Sequence, residues 1–426
     1  MEAAGPEKDL LLRLLRIAVA AVHPDCVLPA ALPRRPPPGR TLVLGAGKAA
    51  AAMAACLARH LDPPFAGAVV VPHGHALSAP GGGIELLEAG HPLPDAGSVA
   101  AARRMHHEVA RLGPDDRLIF LASGGGSATL TLPAPGLSLA EKRDIVDHLL
   151  RRGVPIAVIN AVRKHLSAIK GGRLGAEAAA RGAELWTLAI SDVVGDDPAA
   201  IASGPTIPDP TTVDDARAAL RMVKAPHAAV WERLLDAPGA ETPEPGDVAG
   251  ETCLLASGAM ALTAAAKAAR AAGHAVHDLG DRIEGAAPDV ARGHAELARR
   301  LKAAGGRHLV LSGGELTVCR DGDTGGRGGP NLEYLAALAL ALEGASGIHA
   351  LAVDSDGFDG TSGAAGGIVA PDSLARAREQ GLDPAALLAA HDSRRLFAAL
   401  GDLVETGPTG TNVNDLRFIL VEGDAD

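Results

Sequence analysis

Six short apolar runs, rich in Val, Leu and Ile, punctuate the chain, and each ends in a turn of glycines or acids. They are TLVLGAGK (41–48), RLIFLASGGGSA (117–128), LWTLAISDVVGDD (185–197), CLLASGAMA (253–261), HLVLSGGELT (308–317) and HALAVDSDGFDGTSG (349–363). A strand with one wet face alternates apolar and polar residues. Uniform runs instead predict strands covered on both faces, hence parallel α/β sheets. Between several runs lie alanine-rich stretches of helical length, such as AMALTAAAKAARAAG (259–273). In open α/β sheets ligands gather at the carboxyl ends of the strands, which is where all six polar turns fall.

The segment LLDAPGAETPEPGDVAGET (234–252) is too rich in Pro, Gly and acid to bury much apolar area. It is expected to link an N-terminal domain over 1–245 to a C-terminal α/β domain over 246–426. The proline-rich LPRRPPPGR (32–40) separates a first helix from the first strand. That helix, LLLRLLRIAVAAV (10–22), carries arginines inside its apolar run and reads as amphipathic, not as a signal peptide. No segment reaches the roughly 18 uncharged apolar residues that span a bilayer.

Composition narrows the choice of partner. With 40 Lys and Arg against 51 Asp and Glu, the net charge is −11, and aromatics are only 2%. Such a chain lacks both the basic footprint and the stacking platforms of a nucleic-acid binder. A small anion remains a candidate, because local cation clusters override the global sign. Cys26, Cys56, Cys253 and Cys319 are widely spaced, with no C-x-x-C, so neither a zinc pair nor a disulfide framework is expected. A reducing, cytoplasmic setting follows.

The first glycine turn poses the central question. Gly45, Gly47 and Ala50 meet the G-x-G-x-x-[GA] dinucleotide pattern, but the next strand, GAVVVPHGH (67–75), ends in Pro72 and His73 without a ribose-binding acid. A P-loop fails too, since position 42 is Leu and Lys48 is followed by Ala49. A tight strand-to-helix turn with steric glycines is the third reading. The other turns add chemistry. Ser123, Gly124, Gly125, Gly126 and Ser127 can form an anion nest. Asp192, Asp196 and Asp197 follow one strand, and Asp354, Asp356 and Asp359 another; some would bind Mg²⁺ and others would cap turns. Arg163, Lys164, His165, Lys170 and Arg173 crowd into NAVRKHLSAIKGGRLG (160–175), and Arg327 stands among four glycines in GGRGGPNLE (325–333). Anion nests, strand-end acids and cations together describe phosphoryl transfer, where catalysis is mostly positioning and charge neutralisation.

Eight ordered motifs carry a resemblance: GAGKAA, GHPLPDAGS (90–98), LASGGGSA, VRKHLSAIKGGRLG, SDVVGDDPAAIASGPT (191–206), LSGGELTV (311–318), DGFDGTSGAAG (356–366) and TGTNVNDL (409–416). The chain resembles the MOFRL-type glycerate 2-kinases, also named hydroxypyruvate reductases. The resemblance implies two Rossmann-like three-layer α/β domains with mostly parallel sheets and an interdomain active-site cleft. It implies phosphorylation of D-glycerate at the 2-hydroxyl by ATP with Mg²⁺, and it is compatible with a homo-oligomer. The choice of the 2- over the 3-hydroxyl rests on the resemblance alone. Carried over, Lys48, Asp192 and Arg327 are catalytic and the Ser123–Ser127 turn cradles the nucleotide phosphates. Gly45, Gly47, Arg163, Lys164, Lys170, Glu315 and Asn412 bind substrate, and Asp192 with Asp354 holds the metal. One position departs: where the family pattern has Arg, this chain has Pro330, so Arg327 is taken to supply the guanidinium.

Two other readings compete. An NAD(P)H-dependent hydroxypyruvate reductase needs the missing ribose-binding acid and an acid–base histidine, for which His91 or His165 would serve. A nucleotide-binding sensor without turnover leaves the strand-end acids unexplained.

Overall fold

The computed structural model describes residues 5–76, 79–318 and 325–423; Cys319 lies outside them. The chain forms two compact units, one over Pro24–Leu255 and one made of the residues up to His23 with those from Ala256 on.

In the first unit, β1 (Thr41–Ala46), β2 (Phe65–Pro72), β3 (Ile84–Ala89), β4 (Arg117–Ala122), β5 (Glu184–Ile190) and β6 (Glu251–Ala256) form one sheet in the order β3-β2-β1-β4-β5-β6. From β3 to β5 the strands pair parallel. Every residue of β1 and β4 is buried, as their unbroken apolar runs require. Leu44, Val70, Phe120 and Leu118 belong to one core with Ala102 and Met105 of the helix Ala96–Val109. This strand order reverses direction between β1 and β4, the switch point at which doubly wound sheets bind ligands.

In the second unit, β7 (Ala275–Asp278), β8 (Gly285–Ala286), β9 (Arg307–Gly314), β10 (Leu316–Thr317), β11 (Ile348–Asp354), β12 (Gly366–Val369), β13 (Leu403–Val404) and β14 (Asp415–Glu422) follow. β8 and β10 form a two-stranded ribbon, and the others a sheet in the order β13-β12-β11-β14-β9-β7. Here strand direction departs from the expectation. In the larger sheet β7 pairs parallel with β9, while β13, β12, β11, β14 and β9 pair antiparallel in succession; the β8–β10 ribbon is parallel. Burial on both faces makes a strand uniformly apolar whichever way it runs, so the pattern carries no direction.

Two further differences concern organisation. The first helix, Pro6–Ala21, packs on the helix Gly258–Ala271 and on β11 and β14, so it belongs to the second unit. The Pro- and Gly-rich stretch 234–252 is not the junction; the chain leaves the first unit through β6. Side chains hold that stretch in place: Glu241 accepts from Val213 N and pairs with His165 Nε2 at 3.0 Å, and Thr242 Oγ1 donates to Asp209 at 3.2 Å.

Candidate active site

The turns after β1, β4 and β5 leave the sheet side by side, because Ala46, Ala122 and Ala189 are in register. The β1 turn is locked onto the β4 turn. Lys48 N donates to Gly124 O at 2.8 Å, Ala49 N to Ser123 Oγ at 3.1 Å, and Ala50 N to Gly47 O at 3.1 Å. A Cβ on Gly47, whose φ is +116°, would lie 2.3 Å from Ser123 O and 2.6 Å from Gly124 O. The amides of this turn, which a dinucleotide's pyrophosphate would need, are therefore already bonded within the protein. Gly45 is steric as well, since its Cβ would meet Leu121 Cβ at 2.8 Å. Gly47→Ala combines a left-handed backbone with a clash against main-chain atoms that cannot swing away. It should cost about 3 kcal/mol in a denaturant titration.

The β4 turn faces a cavity of about 370 Å³. Gly125, Ser127, Thr131 and His91 line it, together with Lys142, Arg163 and Lys170. Gly125 adopts φ +79°, and a Cβ there would lie 3.2 Å from His91 Cδ2 and 3.4 Å from Lys48 Cγ. The lysine stem thus passes over the turn. Ser123 is committed elsewhere: its fully buried hydroxyl caps Ala49 N and reaches Ala46 O, so it serves the turn and not the cavity. Gly126 is steric too, its Cβ meeting Ala202 Cβ at 2.7 Å.

Of the three cations lining the cavity, the sequence singled out Arg163 and Lys170 as candidates but not Lys142. Lys170 Nζ donates to Ser127 O at 3.0 Å and Ala202 O at 3.2 Å. Burial, with the charges of Lys142 and Arg163, pushes its ammonium well below the ordinary lysine value. Arg163 Nη1 donates to Asn160 Oδ1 at 3.2 Å, and burial lowers its pKa as well. Lys142 lies on the helix Leu139–Arg151, opened by a capping box of Ser138 and Glu141. It shares the inward stripe of Ile145 and Leu149 at positions i, i+3 and i+7, and that placement is the one signal the sequence offered. Among the described residues none of these three cations pairs with a carboxylate.

Ser127 Oγ meets Ser203 Oγ at 2.7 Å. Ala202 and Ser203 both hold positive φ, 54° and 60°, a conformation costing about 1 kcal/mol or more for a residue with a side chain. Backbone strain thus sits directly beneath Lys170 and Ser127.

Other expected residues have different placements. Lys164 is buried with Nζ 3.0 Å from Asp209 Oδ1 and does not line the cavity. One helical step from Arg163 turns it about 100° away. His165 is held between Ala161 O and Glu241. Arg173 donates to Gly239 O and Ala240 O. Asp192 is half-buried just past β5, while Asp197 caps Ala199 N and Asp196 adopts φ 58°.

The remaining candidates lie in the second unit. Gly314, Asp415 and Asp354 are in register across β9, β14 and β11, so Glu315, Asp354 and the approach to β14 with Asn412 share one sheet edge. Glu315 is exposed and Asn412 is 1% exposed. Asp356 Oδ1 accepts from Phe358 N. Asp359 is structural: it accepts from Asn331 N, Asn331 Nδ2 and Leu332 N at the start of the helix Pro330–Leu342. Burial nevertheless raises its carboxyl to about 7. Pro330 stands at N1 of that helix, a position that suits proline's fixed φ and missing N–H. Arg327 is exposed in the preceding loop, its Nη2 donating to Thr361 O at 3.4 Å.

Comparison with known proteins fits this geometry. Residues 10–235 match a family described as a domain of unknown function (DUF4147), and residues 308–415 match the MOFRL family. A protein from Agrobacterium vitis named "Putative hydroxypyruvate reductase" is 49% identical over 97% of this chain and 94% of its own. A protein of Pyrococcus horikoshii named "Glycerate 2-kinase" is 37% identical over 90% of this chain and 88% of its own. The chain belongs to the MOFRL-type glycerate 2-kinase family. The crystal structure of a glycerate kinase from Thermotoga maritima superposes with a TM-score of 0.85 at 34% identity, over 97% of this chain and 99% of that one. The two kinds of name in the glycerate 2-kinase family reproduce the question raised by the first turn, and the satisfied amides of that turn speak against the dinucleotide. No helix among the described residues is long and apolar enough to cross a membrane.

Proposed function

We propose that this glycerate 2-kinase family member transfers the γ-phosphoryl group of ATP to the 2-hydroxyl of D-glycerate, giving 2-phospho-D-glycerate and ADP. The observation that carries the reading is the cation-lined cavity beside the β4 turn, where Lys142, Arg163 and Lys170 gather and, among the described residues, none of the three pairs with a carboxylate; Asp147, the acid in the lining, pairs with Arg151. Buried cations without counter-ions are costly, and a bound polyanion removes that cost. Hydride transfer calls for no such cluster, and β2 ends in Pro72 and His73 without the acid that holds a ribose.

In this mechanism the β4 turn and its cations hold the phosphates, and Lys48 reaches across Gly125 to the transferring group. The 2-hydroxyl oxygen forms the new bond to phosphorus as the bond to ADP breaks, and its proton passes to the Asp192 carboxylate. A loose transition state asks little of that base. Glu315, Arg327, Asp354 and Asn412 enter through the family resemblance, with Arg327 in the place of the arginine absent at Pro330.

Magnesium fits this donor set. Among the described residues no three His, Cys, Asp or Glu side chains cluster into a metal cage. Mg²⁺ needs none, because it takes one or two carboxylates and keeps waters and phosphate oxygens as its other ligands. Asp192, half-buried just past β5, is the carboxylate of the first unit that would hold it, where it would neutralise charge on the phosphates; Asp354, in the second unit, enters through the family resemblance alone. The free thiols of Cys26, Cys56 and Cys253 fit a reducing, cytoplasmic setting.

Two parallel assays test the reading. One supplies D-glycerate, ATP and Mg²⁺ with phosphorus NMR of the product; the other supplies hydroxypyruvate and NADH. The expected result is a 2-phosphoglycerate signal and no NADH oxidation. NADH oxidation without a phosphorylated product would overturn both the function and the roles given to Lys48 and Asp192.

A further inference from the structure

We propose that Lys142 is an anion-binding residue that completes, with Arg163 and Lys170, a three-cation site for the phosphate chain of the nucleotide, and that it binds only when protonated. The inference rests on the phosphoryl-transfer reading and adds to it how Lys142 takes part, through the one N–H that its two carbonyl partners leave over.

The geometry begins with the carbonyls that hold the two lysines. Lys142 Nζ donates to Leu166 O at 2.7 Å and Arg163 O at 3.1 Å, both at the carboxyl end of the helix Ile156–His165. Lys170 Nζ likewise donates to the carbonyls of Ser127 and Ala202. A neutral amine has two N–H groups and a lone pair; an ammonium has three N–H groups. With two donors held by carbonyls, a neutral Lys142 has no N–H left for an anion, whereas a charged Lys142 has one. The protonation state therefore decides whether this side chain can bind.

The occupant follows from charge and shape. Glycerate carries one negative charge and would leave two of the three cations uncompensated. A phosphate chain carries three or four. The same cavity has an apolar wall of Pro92, Leu93, Pro94, Val146 and Leu150, which glycerate has no apolar surface to use.

The charged and titratable groups that line the cavity with Lys142 are Arg143 and Asp147 on its own helix, Arg163, Lys170 and His91; Lys170, also held by two carbonyls and lowered by burial, titrates under the same rule. Burial, and then the Arg163 charge, pushes Lys142 down to about 7. An anion beside it favours the ammonium, so binding takes up a proton at and above pH 7. Affinity is full below that value and falls as pH rises through it. The phosphate chain itself gains negative charge over the same range, which works in the opposite direction. A fall in affinity therefore reports on the protein.

The test is isothermal titration of inorganic tripolyphosphate into the intact protein between pH 6 and pH 9, without turnover. Wild type should weaken by about tenfold or more across that range. Lys142→Met should bind at pH 6 about as weakly as wild type at pH 9, and excess D-glycerate should not compete. Lys142→Arg, which stays charged, should reduce the pH dependence to the part that Lys170 contributes, and it provides a second reading should the Met variant misfold. Unchanged affinity in Lys142→Met, a pH slope unaltered in Lys142→Arg, or competition by D-glycerate would each overturn the assignment. Absence of 2-phosphoglycerate in the kinase assay would instead defeat the functional reading, and the titration would still decide this one.

Discussion

Lys48→Ala should lower kcat by about 10³ or more, with the circular dichroism spectrum and melting temperature close to wild type. Such a loss corresponds to about 4 kcal/mol of transition-state stabilisation, the scale of a preorganised cation placed where charge moves in a water-poor site. The backbone of Lys48 is part of the locked turn, but that bond runs from its N–H to Gly124 O and survives truncation of the side chain. The side chain is half-buried. What is lost is the charge at the end of a stem that crosses Gly125 beside His91. Steady-state kinetics with saturating D-glycerate and ATP provide the measurement. A folded variant with turnover near wild type would remove Lys48 from the mechanism, whereas a raised KM with unchanged kcat would make it a ground-state binder.

Asp209→Ala should destabilise the first unit by about 3–5 kcal/mol, the usual cost of leaving one charge of a buried pair without its partner. Asp209 is fully buried and accepts from Lys164 Nζ, Thr211 N, Thr211 Oγ1 and Thr242 Oγ1. Its removal strands a lysine that cannot reach water and releases the 234–252 stretch at Thr242. The double variant Lys164→Met with Asp209→Leu should recover much of the loss, since an apolar pair of similar volume carries no desolvation cost. Urea titrations of the wild type, both single variants and the double variant measure the cycle. A loss below about 1 kcal/mol in Asp209→Ala would mean that the loop rearranges to let Lys164 reach solvent.

The comparison of Arg163 with Lys164 shows where sequence reading stops. Both stand in one basic run and both were expected to bind substrate. A rotation of 100° per residue sends Arg163 to the cavity and Lys164 to Asp209. Lys142 is the converse: in AEKRDIVDHLL its spacing to Ile145 and Leu149 puts it on the inward stripe, but only the helix Ile156–His165 packed against it makes it a buried donor. At the acidic end of β11 and in the turn after it, Asp354 and Asp359 look alike in sequence, yet the start of the helix Pro330–Leu342 claims Asp359.

By itself the sequence determined the α/β class, the strands of its six apolar runs with the polar turns that follow them, and the family. These depend on local patterns: apolar runs that bury both faces, glycines where the backbone must turn, and motifs in fixed order. Tertiary structure alone decided the antiparallel direction of the second sheet, the placement of Pro6–Ala21 with the later residues, and which cations share a cavity. Those depend on contacts between residues far apart in the chain, and pairing partners, unlike burial, leave no periodic mark on the strand or helix that makes them.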